Sequence, residues 1–223
     1  MIIAEAPSLT GLPWWAVSTS PPVEVFGPED MDLPPPRLVP SDPAWLEEAD
    51  RIAGRLREFL GARADRIDHI GSTAVPRLWS KPTVDIQVSV PDVEDEAAYR
   101  DAIEAAGWPL RLREPGHRLF RPLPPARRSV HIHVCTSGGT WERDHLLFRD
   151  YLRVHPAVAR AYEAMKRELA ARPGIRRTQY TEAKAPFIRA TLEEARRWAD
   201  ETGWTVSKVP QWEGGPVEDR ARP

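Results

Sequence analysis

Apolar and polar residues alternate over residues 83–90: Val84, Ile86, Val88 and Val90 point one way, and Asp85, Gln87 and Ser89 the other. A period of two predicts a strand. The same alternation over 129–135 sets Val130, Ile132 and Val134 against His131 and His133. Residues 66–70 read as a short strand running into Gly71-Ser72. Residues 109–113 and 117–121 read as two strands around a Glu114-Pro115-Gly116 turn. Elsewhere the period lengthens to that of a helix. Trp45, Ala49, Ile52, Leu56 and Phe59 share one face, with Ser41 or Asp42 as the cap, Pro43 at the first position and Gly61 as the stop. Residues 93–106 predict a helix with Tyr99, Ala102, Ile103 and Ala106 as its stripe and Gly107 beyond it. From Trp141 the chain is mainly helical, first with Leu147, Phe148, Tyr151 and Leu152 on one side. A new helix starts at Pro156, carries Val158, Tyr162, Met165 and Leu169, and is broken by Pro173-Gly174. The last helix, over 181–200, aligns Phe187, Thr191, Ala195 and Trp198, and Pro186 moves its start toward Ala185. Strands interspersed with helices and hairpins predict an α+β class: a mixed sheet flanked by helices, with a helical C-terminal half.

Composition changes this picture mainly at the ends. Many of the 24 prolines fall in the first 43 positions and the last stretch, including Pro21-Pro22 and the run at 34–36. Such segments are extended and carry no ladder of hydrogen bonds. Residues 1–36 therefore read as an arm, 37–199 as the domain, and 200–223 as a tail. Four of nine tryptophans, Trp14, Trp15, Trp204 and Trp212, lie in those ends, which suggests that the ends dock onto a surface. A net charge of −2 argues against general nucleic-acid binding, which needs a basic excess. The single cysteine, Cys135, excludes an intrachain disulfide and reads as a small packed residue. No apolar run reaches membrane-spanning length and the start lacks a signal-peptide pattern, so the expectation is a cytoplasmic protein without membrane contact. The oligomeric state is left open.

The candidate chemistry gathers over residues 68–90. Glycine lets a backbone approach an anion closely and serine adds a hydroxyl donor, so Gly71-Ser72 reads as a phosphate turn or as an ordinary one. Asp85 sits mid-strand between apolar neighbours, where an acid is disfavoured without a partner. It reads as a metal ligand, or as a salt-bridged or solvent-facing residue. His131 and His133 share a face and suit a metal, a general base, phosphate contacts, or plain structural hydrogen bonds. Lys81, Arg118, Arg121, Arg127 and Arg128 form a basic set around the same loops. Arg149, Lys166, Tyr180 and Lys184 add to it from the C-terminal helices. Candidate phosphate or nucleotide contacts are therefore Gly71, Ser72, Thr73, Arg77, Lys81, Lys166, Tyr180 and Lys184. Candidate catalytic and metal-holding residues are Asp85, His131 and His133.

Twelve residues separate Ser72 from Asp85, a layout similar to that of the polymerase β nucleotidyltransferase superfamily. That pattern has a second carboxylate two residues on, where this chain has Gln87. The run from His69 to Pro76 (His-Ile-Gly-Ser-Thr-Ala-Val-Pro), with Lys81-Pro82, Asp85-Ile86 and His131-Ile132-His133-Val134, resembles the GrpB family. So do the run from Leu146 to Leu152, His155-Pro156, Tyr162, Lys166, Tyr180, Lys184, Val39-Pro40 and the run from Asp42 to Trp45. The resemblance covers residues 37–199. It implies a fold of nucleotidyltransferase-like type, sometimes fused to dephospho-CoA kinase, with Gly71, Ser72, Lys81 and Asp85 at the phosphate and metal end. One departure is Arg77, where the family usually has glycine after Val-Pro.

Three functions compete. The first is a nucleotidyltransferase-like enzyme with Mg²⁺ at Asp85. The second is a non-catalytic module for a nucleotide or CoA-like ligand, which Gln87 favours. The third is a transition-metal hydrolase built on Asp85, His131 and His133. An aminoacyl-tRNA synthetase reading of His69-Ile70-Gly71-Ser72 is disfavoured, because the last histidine of that motif is missing and the chain is short.

Overall fold

Alternation along the strands sorts the side chains onto two unlike faces. A computed structural model describes residues 23–26, 35–123 and 129–206. Trp14, Trp15, Pro21, Pro22, Pro34, Arg127, Arg128 and Trp212 lie outside the described residues. The strands are β1 (Glu24–Val25), β2 (Arg66–Ile70), β3 (Val84–Val90), β4 (Leu110–Glu114), β5 (His117–Phe120) and β6 (Val130–Thr136). They form one sheet in the order β1-β4-β5-β6-β3-β2. Only β3 and β6 run parallel; every other neighbouring pair is antiparallel. The α+β class with a mixed sheet is thus what the alternation indicated.

The apolar face carries Ile67, Val84, Ile86, Val88, Phe120, Val130, Ile132 and Val134, all buried. Helix α1 (Ala44–Leu60) lies on it through Trp45, Ala49, Ile52, Ala53, Leu56 and Leu60. Burial of each large apolar side chain contributes about 1.5–3 kcal/mol, so this contact holds the helix in place. Asp42 Oδ1 accepts the Ala44 backbone N–H at 3.0 Å and so caps the helix start.

Helix α2 (Arg100–Ala105) is shorter than the helix expected over 93–106, with only a separate 3-10 turn at Glu96–Ala98 before it. Tertiary pairing overrides propensity here. Arg118 binds Glu94 and Glu96, Arg113 binds Glu96, and the Tyr99 hydroxyl donates to the Val93 carbonyl at 2.6 Å. The register that sets Arg118 opposite Val134 turns it to this face, away from His131 and His133. It therefore leaves the basic set proposed for the phosphate loops.

The second face is polar. It carries Asp68 and Arg66 from β2, Asp85, Gln87 and Ser89 from β3, and His131, His133 and Cys135 from β6. Four helices cover that side of the chain: α3 (Thr140–Val154), α4 (Pro156–Ala171), α5 (Arg177–Ala183) and α6 (Ala185–Thr202). Pro186 in the first turn of α6 lacks the N–H that would continue a helix, so α6 starts at Ala185 as Pro186 indicated, and residues 181–183 belong to α5. Buried ion pairs seat α3. Arg149 of α3 reaches Asp68 of β2 at 3.6 Å, and Arg66 of β2, which grips Asp68 at 2.7 Å, lies 3.9 Å from Glu142 of α3. No helix among the described residues is long and apolar enough to cross a membrane.

Part of the segment read as an arm joins the sheet. Glu24 and Val25 pair with Arg113 and Leu112, and the Phe26 N–H donates to the Arg111 carbonyl at 2.9 Å. At the other end, Trp204 packs near Tyr151, and its indole N–H donates to Asp150 Oδ2 at 3.2 Å.

Candidate functional site

Parallel pairing of β3 with β6 sets Asp85 beside His131 and Gln87 beside His133. His131 Nδ1 donates to Asp85 Oδ1 at 3.0 Å, and His133 Nε2 lies 3.7 Å from the same oxygen. One ligand atom from each of the three residues lies within 4.8 Å of the other two. Burial alone would raise the Asp85 carboxyl, but Lys81 and the hydrogen-bonded His131 hold it well below the usual carboxylate range. Burial, with Lys81 nearby, pushes His131 down to about 3 and keeps its imidazole neutral. Gln87 is fully buried, and its amide nitrogen donates to Ser89 Oγ at 3.4 Å.

Behind these residues lies a second layer absent from the candidate set. His117 Nε2 is 3.0 Å from His133 Nδ1, and His117 Nδ1 is 2.6 Å from Glu114 Oε1. The Trp141 ring stacks on His117 at 4.7 Å and on His145 at 3.5 Å. Burial pushes His145 down to about 3. The hairpin sequence places Glu114 and His117 on either side of a turn, but only the β5–β6 register, Leu119 opposite His133, brings His117 onto the face of His133.

The loop between β2 and β3 approaches from the other side. Gly71 has φ 71° and ψ −170°, and a Cβ there would stand 2.5 Å from Asp85 Oδ2. The anion that Gly71 approaches so closely is thus the chain's own carboxylate. Only one 3-10 turn, Ser72–Ala74, follows before Val75-Pro76, so the Gly71-Ser72 turn does not open an α-helix. Thr73 turns inward: His69 Nε2 donates to its hydroxyl at 2.9 Å, and the hydroxyl donates to the Thr83 carbonyl at 3.2 Å. Side chains from α3 and α4 pin the connector. Arg149 and Arg153 bind the carbonyls of His69 and Ala74, Glu163 accepts the Trp79 N–H, and Lys166 donates to the Trp79 carbonyl.

Lys166 also donates to Ser72 Oγ at 3.1 Å and lies 4.6 Å from the Tyr162 ring centroid. Burial, then repulsion from Lys184, lowers Lys166 to about 7. Burial, then repulsion from Lys81, lowers Lys184 to about 8. All three lysines are close enough to interact with one another and with Asp85. Tyr180 is buried, with its ring centroid 5.2 Å from Lys184 Nζ. Arg121 is buried just past the end of β5.

Arg77 is exposed and has φ 63°, a left-handed conformation that a Cβ disfavours. Replacing Arg77 with glycine should therefore raise stability by about 0.5–1 kcal/mol, read as a higher urea midpoint at unchanged slope. A lower midpoint would mean that the arginine side chain outweighs its backbone strain.

Comparison with known proteins follows these positions. A family model described as GrpB protein matches residues 35–194, which include every residue of the site. A UPF0157 protein of Streptomyces coelicolor is 42% identical over 174 residues, covering 78% of this chain and 90% of that protein. A protein named dephospho-CoA kinase from Mycobacterium leprae is 31% identical over 201 residues, covering 77% of this chain but 49% of its own length, consistent with a fusion. The crystal structure of the conserved protein GrpB from Enterococcus faecalis superposes with a TM-score of 0.62 at 32% identity, over 73% of this chain and 99% of that one. A family match across most of the sequence, a shared fold and relatives aligned over nearly their whole length agree: the chain belongs to the GrpB family.

Proposed function

We propose that this protein is a nucleotidyltransferase-like enzyme that binds a nucleotide or CoA-like polyphosphate beside a divalent cation held by Asp85, His131 and His133. The observation that carries the reading is the meeting of that triad with three lysines. An ionised carboxylate and two imidazoles, with His131 neutral, fit a transition ion such as Zn²⁺ better than Mg²⁺, which prefers oxygen ligands. Such an ion supplies Lewis-acid polarisation of a phosphoryl oxygen. Lys81, Lys166 and Lys184 counter the ligand's negative charge, and the Ser72 hydroxyl, held by Lys166, stands beside them. The CoA-like option draws support from relatives named dephospho-CoA kinase.

A second reading, binding without catalysis, is favoured by Gln87, a buried amide where the superfamily pattern has a second acid. Calorimetry with nucleoside triphosphates and CoA, each with and without Zn²⁺, Mn²⁺ or Mg²⁺, separates the two. The enzyme reading expects near-stoichiometric metal and metal-dependent ligand heat, both lost in Asp85→Ala. Ligand affinity unchanged in Asp85→Ala favours the binding module. Absence of heat with every ligand removes both.

A further inference from the structure

Glu114, His117 and His133 form a line of hydrogen bonds that ends at the metal-holding triad. Glu114 Oε1 to His117 Nδ1 is 2.6 Å, and His117 Nε2 to His133 Nδ1 is 3.0 Å. With 3.0 Å between the two nitrogens, ring centroids 5.2 Å apart leave room only for an edge-to-edge contact, and the planes are inclined by 23°, as an N–H···N bond requires. Trp141, stacked on His117 with 9° between the planes, holds that ring from the side.

Proton counting along this line leaves one arrangement. A carboxylate only accepts, so His117 Nδ1 carries the proton it donates to Glu114. With that proton on Nδ1, a neutral His117 ring leaves its lone pair on Nε2, which must accept. The atom facing it, His133 Nδ1, is therefore the donor. The lone pair of His133 is left on Nε2, 3.7 Å from Asp85 Oδ1. A lone pair and a carboxylate oxygen facing one another with no proton between them repel, and a shared cation relieves that repulsion.

We propose that Glu114 and His117 are positioning residues that act through His133, holding its ring proton on Nδ1 so that its Nε2 lone pair faces Asp85. That the lone pair then serves as a metal ligand rests on the function proposed above. Hydrogen-bonded outer partners of this kind fix ligand orientation, and their loss typically costs about 10–100-fold in metal affinity.

Long-range ¹H–¹⁵N correlation spectra of the metal-free, full-length protein at pH 8 test the arrangement directly. His133 is expected in the Nδ1–H form. His117→Phe keeps a ring against Trp141 but removes the acceptor. It should move the His133 proton toward Nε2 and lower Zn²⁺ affinity, read by chelator competition, about 10–100-fold. His117→Gln restores a carbonyl acceptor and should recover much of both. Wild-type His133 in the Nε2–H form overturns the proposal, as does His117→Phe with unchanged tautomer and Zn²⁺ affinity. If the wild type shows the Nδ1–H form yet takes up no Zn²⁺, the positioning stands and the metal reading falls. Should His117→Phe fail to fold, the wild-type spectrum and His117→Gln still decide.

Discussion

Gly71→Ala is expected to destabilise the protein by about 2–4 kcal/mol and to abolish metal uptake. Two effects combine. The backbone at φ 71° and ψ −170° lies in a region that only glycine adopts without strain. The added Cβ would also stand 2.5 Å from Asp85 Oδ2 and 3.1 Å from Asp85 Cβ, inside contact distance. Asp85 cannot swing away without losing its hydrogen bond to His131 and its attraction to Lys81. Urea denaturation measures the loss, and a cycle with Asp85→Ala divides it. In the Asp85→Ala background the 2.5 Å contact is gone, so the penalty should shrink; the strained backbone keeps it above zero. Equal penalties in both backgrounds would show that contact with the carboxylate is not the cause.

Raising pH from 7 toward 10 should strengthen the free protein and weaken its grip on an anionic ligand. Lys166 and Lys184 sit at about 7 and about 8 in the folded chain against an ordinary 10.5. Across that interval the unfolded chain binds more protons than the folded one, so stability climbs with pH. It is fully present above the ordinary lysine value and lost as pH falls through the folded values. Each unit of depression corresponds to about 1.4 kcal/mol. Because the two ammonium groups repel each other, they titrate as a pair. A polyphosphate reverses the preference by favouring both charged forms. Its binding should take up protons near pH 8, which calorimetry in buffers of different ionisation enthalpy detects. Lys166→Met should remove much of the stability rise and weaken the ligand. An affinity that stays flat from pH 7 to 10 would place the ligand away from these lysines.

The pH response depends on burying like charges together, which the connector between β2 and β3 makes feasible. Lys166 donates to Ser72 and to the Trp79 carbonyl, neutral acceptors, and attraction to Glu163 and Asp85 does not make up for its burial and the neighbouring lysines. Such an arrangement costs stability in the free protein and is suited to accepting an anion.

Local chemistry made much of the fold legible. Alternation over 83–90 and 129–135 fixed which side chains share a face, because successive side chains on a strand point oppositely whatever the neighbours do. The Asp42 cap and the apolar stripe from Trp45 to Leu56 placed α1 for the same local reason. Sequence therefore singled out Asp85, His131 and His133 as residues with like orientation on separate strands. It could not say that β3 and β6 are adjacent and parallel. That depends on the β4–β5 hairpin being placed on the far side of β6, a choice made by long-range pairing. The same pairing brought Glu114 and His117 behind His133, turned Arg118 to the opposite face and drew Glu24 and Val25 into the sheet. Gly71 was legible as a residue that permits close approach, whereas its partner was not. Tertiary structure supplied Asp85 as that partner, because only the paired strands bring Ile70, the residue just before the turn, opposite the carboxylate.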